Sequence, residues 1–90
     1  KNLYNLWKKM KIQLFGTKKC HKTAYYKVFL ETRNLHYVFL DVENNEENDT
    51  KLRNLYENKK PNFPTITIDN KKLRNPSDSA LQKWIDKTKR

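Results

Sequence analysis

The apolar positions along this chain change their spacing several times, and each change marks an element. Residues 1–10 place Leu3, Leu6, Trp7 and Met10 at helical spacing, which predicts a short amphipathic helix. Basic residues flank Trp7, so a membrane-surface anchor competes with packing on the domain; the short length favours packing. Residues 11–15 alternate polar and apolar and predict a strand, ended by Gly16, the only glycine. Residues 17–20 form a basic loop. From Cys20 to about Asn34 the pattern turns helical. It puts Ala24, Val28 and Leu35 on one face, with Tyr25, Phe29 and Leu30 beside it. Residues 36–42 are a continuous apolar run, as expected of a buried strand. Residues 43–50 are polar and acidic. Asn44 or Asn45 is placed to cap a helix running to about Asn58, with Leu52, Leu55 and Tyr56 inward.

Pro61 and Pro64 bracket a sharp break. Residues 65–69 are β-branched and alternating, a clear strand. Asp69-Asn70 marks a turn into a short strand over residues 71–73. The phrase Asn75-Pro76-Ser77-Asp78 predicts a helix start, with Asn75 as cap, Pro76 at the first helical position and Asp78 in the electropositive first turn. Leu81, Trp84 and Ile85 supply that helix with its apolar face. The order is strand, helix, strand, helix, strand, strand, helix after a helical extension. The first β-α-β unit implies a parallel pair and the last two strands a hairpin. The fold class is α/β, a four-stranded mixed sheet flanked by helices. The division expected is an extension over residues 1–10 and one domain over residues 11–90.

Composition narrows the partners. The 90 residues carry 20 Lys+Arg against 10 Asp+Glu, a formal charge of +10 that attracts anions and says nothing about fold. The charge is uneven: Asp41, Glu43, Glu46, Glu47 and Asp49 form an acidic block, while Lys18, Lys19 and Lys22 surround the cysteine. The abundance of Asn and Lys also fits a genomic bias, which weakens any argument from charge alone. No apolar run approaches the ~20 residues of a membrane span, and no signal-peptide core opens the chain. One cysteine makes no internal disulfide and suits a reducing compartment, so a cytoplasmic, monomeric protein is expected.

Cys20 is where the chemistry concentrates. The pattern places it just after a strand, at the start of a helix, where unpaired N–H groups favour negative charge. Lys18, Lys19 and Lys22 add positive charge, and His21 adds more when protonated. Thr23, three residues on, puts its hydroxyl one turn along the same helix. Each term favours the thiolate, the reactive form of a thiol. A lone cysteine is most often a small buried hydrophobe, but Lys18, Lys19, His21 and Lys22 cannot all be buried, which argues for an accessible sulfur. His21 and His36 with one cysteine fall far short of a zinc site, so no metal is expected.

Residues 12–23, Ile12-Gln-Leu-Phe-Gly-Thr-Lys-Lys-Cys20-His-Lys-Thr23, resemble the strand, loop and active-site start of glutaredoxins, members of the thioredoxin-fold superfamily. Asn62-Phe63-Pro64 followed by residues 65–69 resembles their cis-proline loop and next strand, and the likeness extends from residue 11 to about residue 86. It implies that Cys20 is the nucleophile that forms a mixed disulfide, and that Pro64 is the cis-proline opposite the sulfur. It implies that the backbone of Phe63 pairs with a bound thiol substrate. Lys18 or Lys19, with His21 nearby, and the backbone of Ser77 and Asp78 would meet glutathione carboxylates. The implied partners are glutathione, as co-substrate, or a protein thiol or disulfide; no resident cofactor is implied. Thr23 stands where the common Cys-Pro-Tyr-Cys pattern has its second cysteine, which closes the dithiol route and leaves a monothiol one. Arg74 and Asn75 stand where the family's paired glycines line the glutathione site.

A non-catalytic binding module of the same fold, acting through its basic surface, is the alternative. Nucleic-acid binding is disfavoured: Tyr25, Tyr26 and Trp84 sit at helix-core spacing, and no helix-turn-helix, zinc or aromatic-platform motif is present.

Overall fold

The computed structural model describes residues 10–60 and 63–89. The predicted extension over residues 1–10, apart from Met10, therefore lies outside the described residues, as does Asn62. The elements are β1 (Ile12–Gly16), α1 (His21–Thr32), β2 (Val38–Asp41), α2 (Glu46–Arg53), β3 (Thr65–Ile68), β4 (Lys71–Arg74) and α3 (Asp78–Lys89). They form one four-stranded sheet in the order β2-β1-β3-β4. The β1–β2 pair is parallel; β1–β3 and β3–β4 are antiparallel.

Alternation along the inner strands decides what each sheet face covers. In the register, Ile12 faces Ile68 and Leu14 faces Ile66. These four join Tyr26, Phe29 and Leu30 of α1 and Leu81 and Ile85 of α3 in the larger core. On the opposite face Phe15 meets Val42 and Leu52 in a smaller core, with Leu40, Leu55 and Tyr56 against it. The Thr65 and Thr67 side chains, on the same strand as Ile66 and Ile68, are buried too. Thr67 donates to Gln13 Oε1 at 3.2 Å, and Thr65 Oγ1 lies 2.8 Å from the Tyr56 hydroxyl, so the buried hydroxyls are matched.

Four expectations are corrected. The apolar run over residues 36–42 is not a buried strand: β2 keeps four of its residues, sits at the sheet edge and leaves Val38 52% exposed. Which strand ends up at an edge depends on sheet order, which a run of apolar residues does not encode. In α1 the inward stripe is Thr23, Tyr26, Phe29 and Leu30, whereas Ala24, Tyr25 and Val28 face solvent. Packing against the sheet selects a stripe about one residue round the helix from the predicted face. The helix ends in a left-handed Asn34 (φ 57°), with the Asn34 N–H bonded to Glu31 O at 3.0 Å and the Leu35 N–H to Leu30 O at 3.1 Å. The second helix stops at Arg53 rather than near Asn58, and Leu55 and Tyr56 pack from the turns that follow. Finally, Ser77 rather than Asn75 caps α3: its hydroxyl accepts from Ala80 N at 3.2 Å and its carbonyl from Leu81 N at 2.9 Å.

Candidate active site

Cys20 is the N-cap residue of α1, with φ −83° and ψ 123°. A turn through Thr17, Lys18 and Lys19 delivers it there, and its N–H donates to the Thr17 carbonyl at 3.3 Å. Its own carbonyl accepts from Ala24 N at 3.1 Å and opens the helix. The side chain is partly exposed. A neutral sulfur is a weak acceptor, and no side-chain capping bond forms to the thiol. An ionised sulfur is the acceptor that the first-turn donors lack. Burial raises the thiol pKa and is the largest single influence. The Thr23 hydroxyl, the N–H groups of Thr23 and Lys22, and the Lys22 ammonium act in the other direction and prevail together, so the thiol ionises below its ordinary value.

Thr23 is 1% exposed, and its Oγ1 is a buried side-chain polar atom with no hydrogen-bond partner. A buried hydroxyl without a partner carries a desolvation penalty of about 1–3 kcal/mol. Ionisation of Cys20 supplies the missing acceptor, so the same atom that is unsatisfied beside the thiol is satisfied beside the thiolate.

The loop on the far side of this helix start is built around Asn75, in a left-handed conformation with φ 49°. Its N–H donates to the Pro64 carbonyl at 3.0 Å. Its Oδ1 accepts from Lys22 Nζ at 3.0 Å and from the Tyr26 hydroxyl at 3.3 Å. Tyr26 also donates to the Pro76 carbonyl at 2.6 Å, and Tyr25 donates to the Asp78 carboxylate. Asn75 thus joins the first turn of α1, the Phe63–Pro64 loop and the start of α3. The Phe63–Pro64 peptide bond is cis, Pro64 is buried, and Phe63 is 45% exposed. Desolvation raises the Tyr26 pKa, and the charges of Asp78, Tyr25 and Cys20 raise it further, so its hydroxyl stays a donor. The hydrogen bond to Asp78 likewise raises Tyr25.

The remaining predicted residues fall around this frame. Lys18 and Lys19 are exposed in the turn before Cys20, and Lys19 Nζ lies 4.0 Å from Glu43, a solvent-screened pair of little energetic weight. His21 is exposed at the first helical position. Ser77 and Asp78 stand at the start of α3. Sequence reasoning missed Asn75 as the joining residue, and Tyr25 and Tyr26 as hydrogen-bonding groups. Helix-core spacing alone points to packing for both tyrosines, and only Tyr26 lies on the buried stripe. Among the described residues no three His, Cys, Asp or Glu side chains converge as metal ligands would.

A parallel β-α-β unit, an antiparallel hairpin, a closing helix and a cysteine at the first helix start define a thioredoxin-fold protein. Two solved structures share that fold. The thioredoxin-like protein BC3987 matches with a TM-score of 0.66 and 25% identity, covering 80% of this chain and 96% of its own. A mutant of that protein matches with a TM-score of 0.70 and 24% identity, covering 83% and 94%. The glutaredoxin family model matches residues 12–73, and the chain belongs to the glutaredoxin family. A search of curated proteins gave no significant match.

Proposed function

We propose that this chain is a monothiol thiol–disulfide oxidoreductase that acts through Cys20 with glutathione as co-substrate. The Cys20 thiolate attacks the glutathione sulfur of a mixed disulfide R–S–S–G. The new bond is Cys20–S–S–G, the old S–S bond breaks, and R–S⁻ leaves with the electron pair and takes a proton from water. A second glutathione thiolate then attacks the glutathione sulfur held on the enzyme. It releases glutathione disulfide and returns Cys20 as a thiolate. One glutathione thiol is consumed for each mixed disulfide reduced, the other half of the glutathione disulfide coming from the mixed disulfide itself, and no resident cofactor is needed.

The observation that carries this reading is the combination at Cys20: partial exposure, a helix start with free donors, and a thiol pKa held below the ordinary value. The Thr23 hydroxyl stabilises the attacking thiolate and the leaving one. The backbone of Phe63, a half-exposed residue beside Pro64, is assigned to pair with the extended chain of the bound disulfide. Lys18, Lys19 and His21 face solvent before and at the helix start, suited to a glycyl carboxylate. The N–H groups at Ser77 and Asp78 are assigned to the second carboxylate. Because Tyr25 already donates to the Asp78 side chain, it is the Asp78 backbone that meets the ligand.

The test is glutathione-dependent reduction of a small glutathione mixed disulfide, with Cys20→Ser as control. Turnover well above that control is expected. Turnover equal to the control overturns the proposal and leaves a non-catalytic member of the family.

A further inference from the structure

Gly16 is the only glycine in the chain, and nothing about its backbone requires one: positive φ occurs at Asn34, Lys59, Asp69 and Asn75 and at no glycine. It is a buried strand residue at the end of β1. What requires glycine is the space above it. A Cβ added at Gly16 would fall 2.8 Å from Thr23 Cγ2, 3.1 Å from Thr23 Cβ and closer still to Thr23 Oγ1. All three nearest atoms belong to one side chain, so the Thr23 side chain occupies the volume that any other residue at position 16 would fill.

Thr23 has little room to yield. It is fully buried on the inward stripe of α1, and β-branching leaves it few rotamers in a helix. Its hydroxyl has no partner other than the sulfur one turn back. We propose that Gly16 is a positioning residue for the reacting thiol: by lacking a side chain it lets α1 settle close on β1 and holds the Thr23 hydroxyl where the Cys20 sulfur can use it. The strand thereby sets the reactivity of a residue four positions later, through contact across the loop rather than along it. This inference rests on Cys20 being the reacting thiol and assigns the residue that tunes it.

The experiment is the pH–rate profile of Cys20 alkylation by iodoacetamide in the full chain. The variants are wild type, Gly16→Ala, Thr23→Ala, Thr23→Ser, and Gly16→Ala combined with each Thr23 change. Thermal unfolding is followed in parallel. Gly16→Ala is expected to move the profile to higher pH and slow alkylation near pH 7 by roughly three- to tenfold. Thr23→Ala should do the same. The Gly16→Ala/Thr23→Ala pair should be no slower than Thr23→Ala alone, and should recover much of the thermal stability, because the two most crowded atoms, Oγ1 and Cγ2, are gone. Thr23→Ser keeps the hydroxyl and should stay near wild type on its own, but it retains Oγ1, the atom the added Cβ crowds most, so it should remain slow in the Gly16→Ala background. A purely structural glycine would lower stability and leave the profile in place, which overturns the inference. So does a Gly16→Ala effect of equal size with and without the Thr23 side chain. These outcomes are separate from turnover with glutathione. A shifted profile in a chain that does not turn over defeats the proposed function alone, and normal turnover with an unmoved profile defeats only this inference.

Discussion

The starts of α1 and α2 solve the same physical problem in opposite ways. Every helix begins with backbone N–H groups that lack intrahelical partners and with the positive end of its dipole. At α2 both are answered by the chain itself. The Asn45 side chain accepts from Asn48 N at 3.0 Å, and Glu46, Glu47 and Asp49 fill the first turn with negative charge. At α1 neither is answered: there is no side-chain capping bond and no acidic residue in the first turn, and the capping position is held by Cys20. Glu46, Glu47 and Asp49 of the acidic block are therefore ordinary helix stabilisation. The terminus that holds Cys20 is the one left without it, so that a stabilising charge arrives there only when the thiol ionises.

The largest break in this comparison is chemical. Cys20→Ser is expected to bring disulfide exchange to background while the chain remains folded, since serine is itself a good capping residue; a coupled glutathione assay with circular dichroism measures both. Asn45→Ala should do the reverse. It removes a formed cap, so urea unfolding should report a loss of about 1 kcal/mol with the alkylation profile of Cys20 unchanged. An equal loss of thiol reactivity would show that the two helix starts are not independent. Cys20→Asp sharpens the contrast from the other side. It gives α1 a permanent anionic cap and should stabilise the fold by about 0.5–1 kcal/mol, again by urea unfolding, with no exchange activity.

The smallest expected effect is on the pH dependence of stability. The Cys20 pKa is lower in the folded chain, so its contribution grows as pH rises from that lowered value toward the ordinary thiol range near ~8.5, and is lost as pH falls back through the lowered value. Unfolding measured over this window should show a shallow positive slope that Cys20→Ser flattens. Tyr37 has the opposite sign. Burial and its hydrogen bond to Glu31 push it up to about 12, so its contribution is intact below pH ~10 and is lost as pH rises toward 12.

What the sequence made legible follows from how local each signal is. The alternation in β1 and β3 and the Asn45 cap are properties of a few consecutive residues, and they were readable. The position of Cys20 at a helix start was readable for the same reason, because the switch from period two to a helical period falls on it. The half-exposed state of β2 was not, because it depends on β1 pairing with β3 on its other side. The cap of α3 was misassigned to Asn75 because both Asn and Ser cap well. What separates them is that Asn75 adopts a left-handed backbone and gives its side chain to Lys22 and Tyr26. Its place between three segments comes from residues far apart in the chain, which local pattern does not report. Thr23 was read as a neighbour of the sulfur; that Gly16 lies under it needed the distance between β1 and α1.

The other end of the sheet has a consequence for self-association. β4 is the outer strand on that side and carries Lys71, Lys72 and Arg74 among its four residues. An open strand edge is a template on which another copy can add, and cationic side chains are a common guard against it. Two copies approaching along β4 would bring like charges together, so the cationic residues of this strand act against templated pairing along it. Acetylation of Lys71 and Lys72 would remove much of that guard and leave the edge open to stacking.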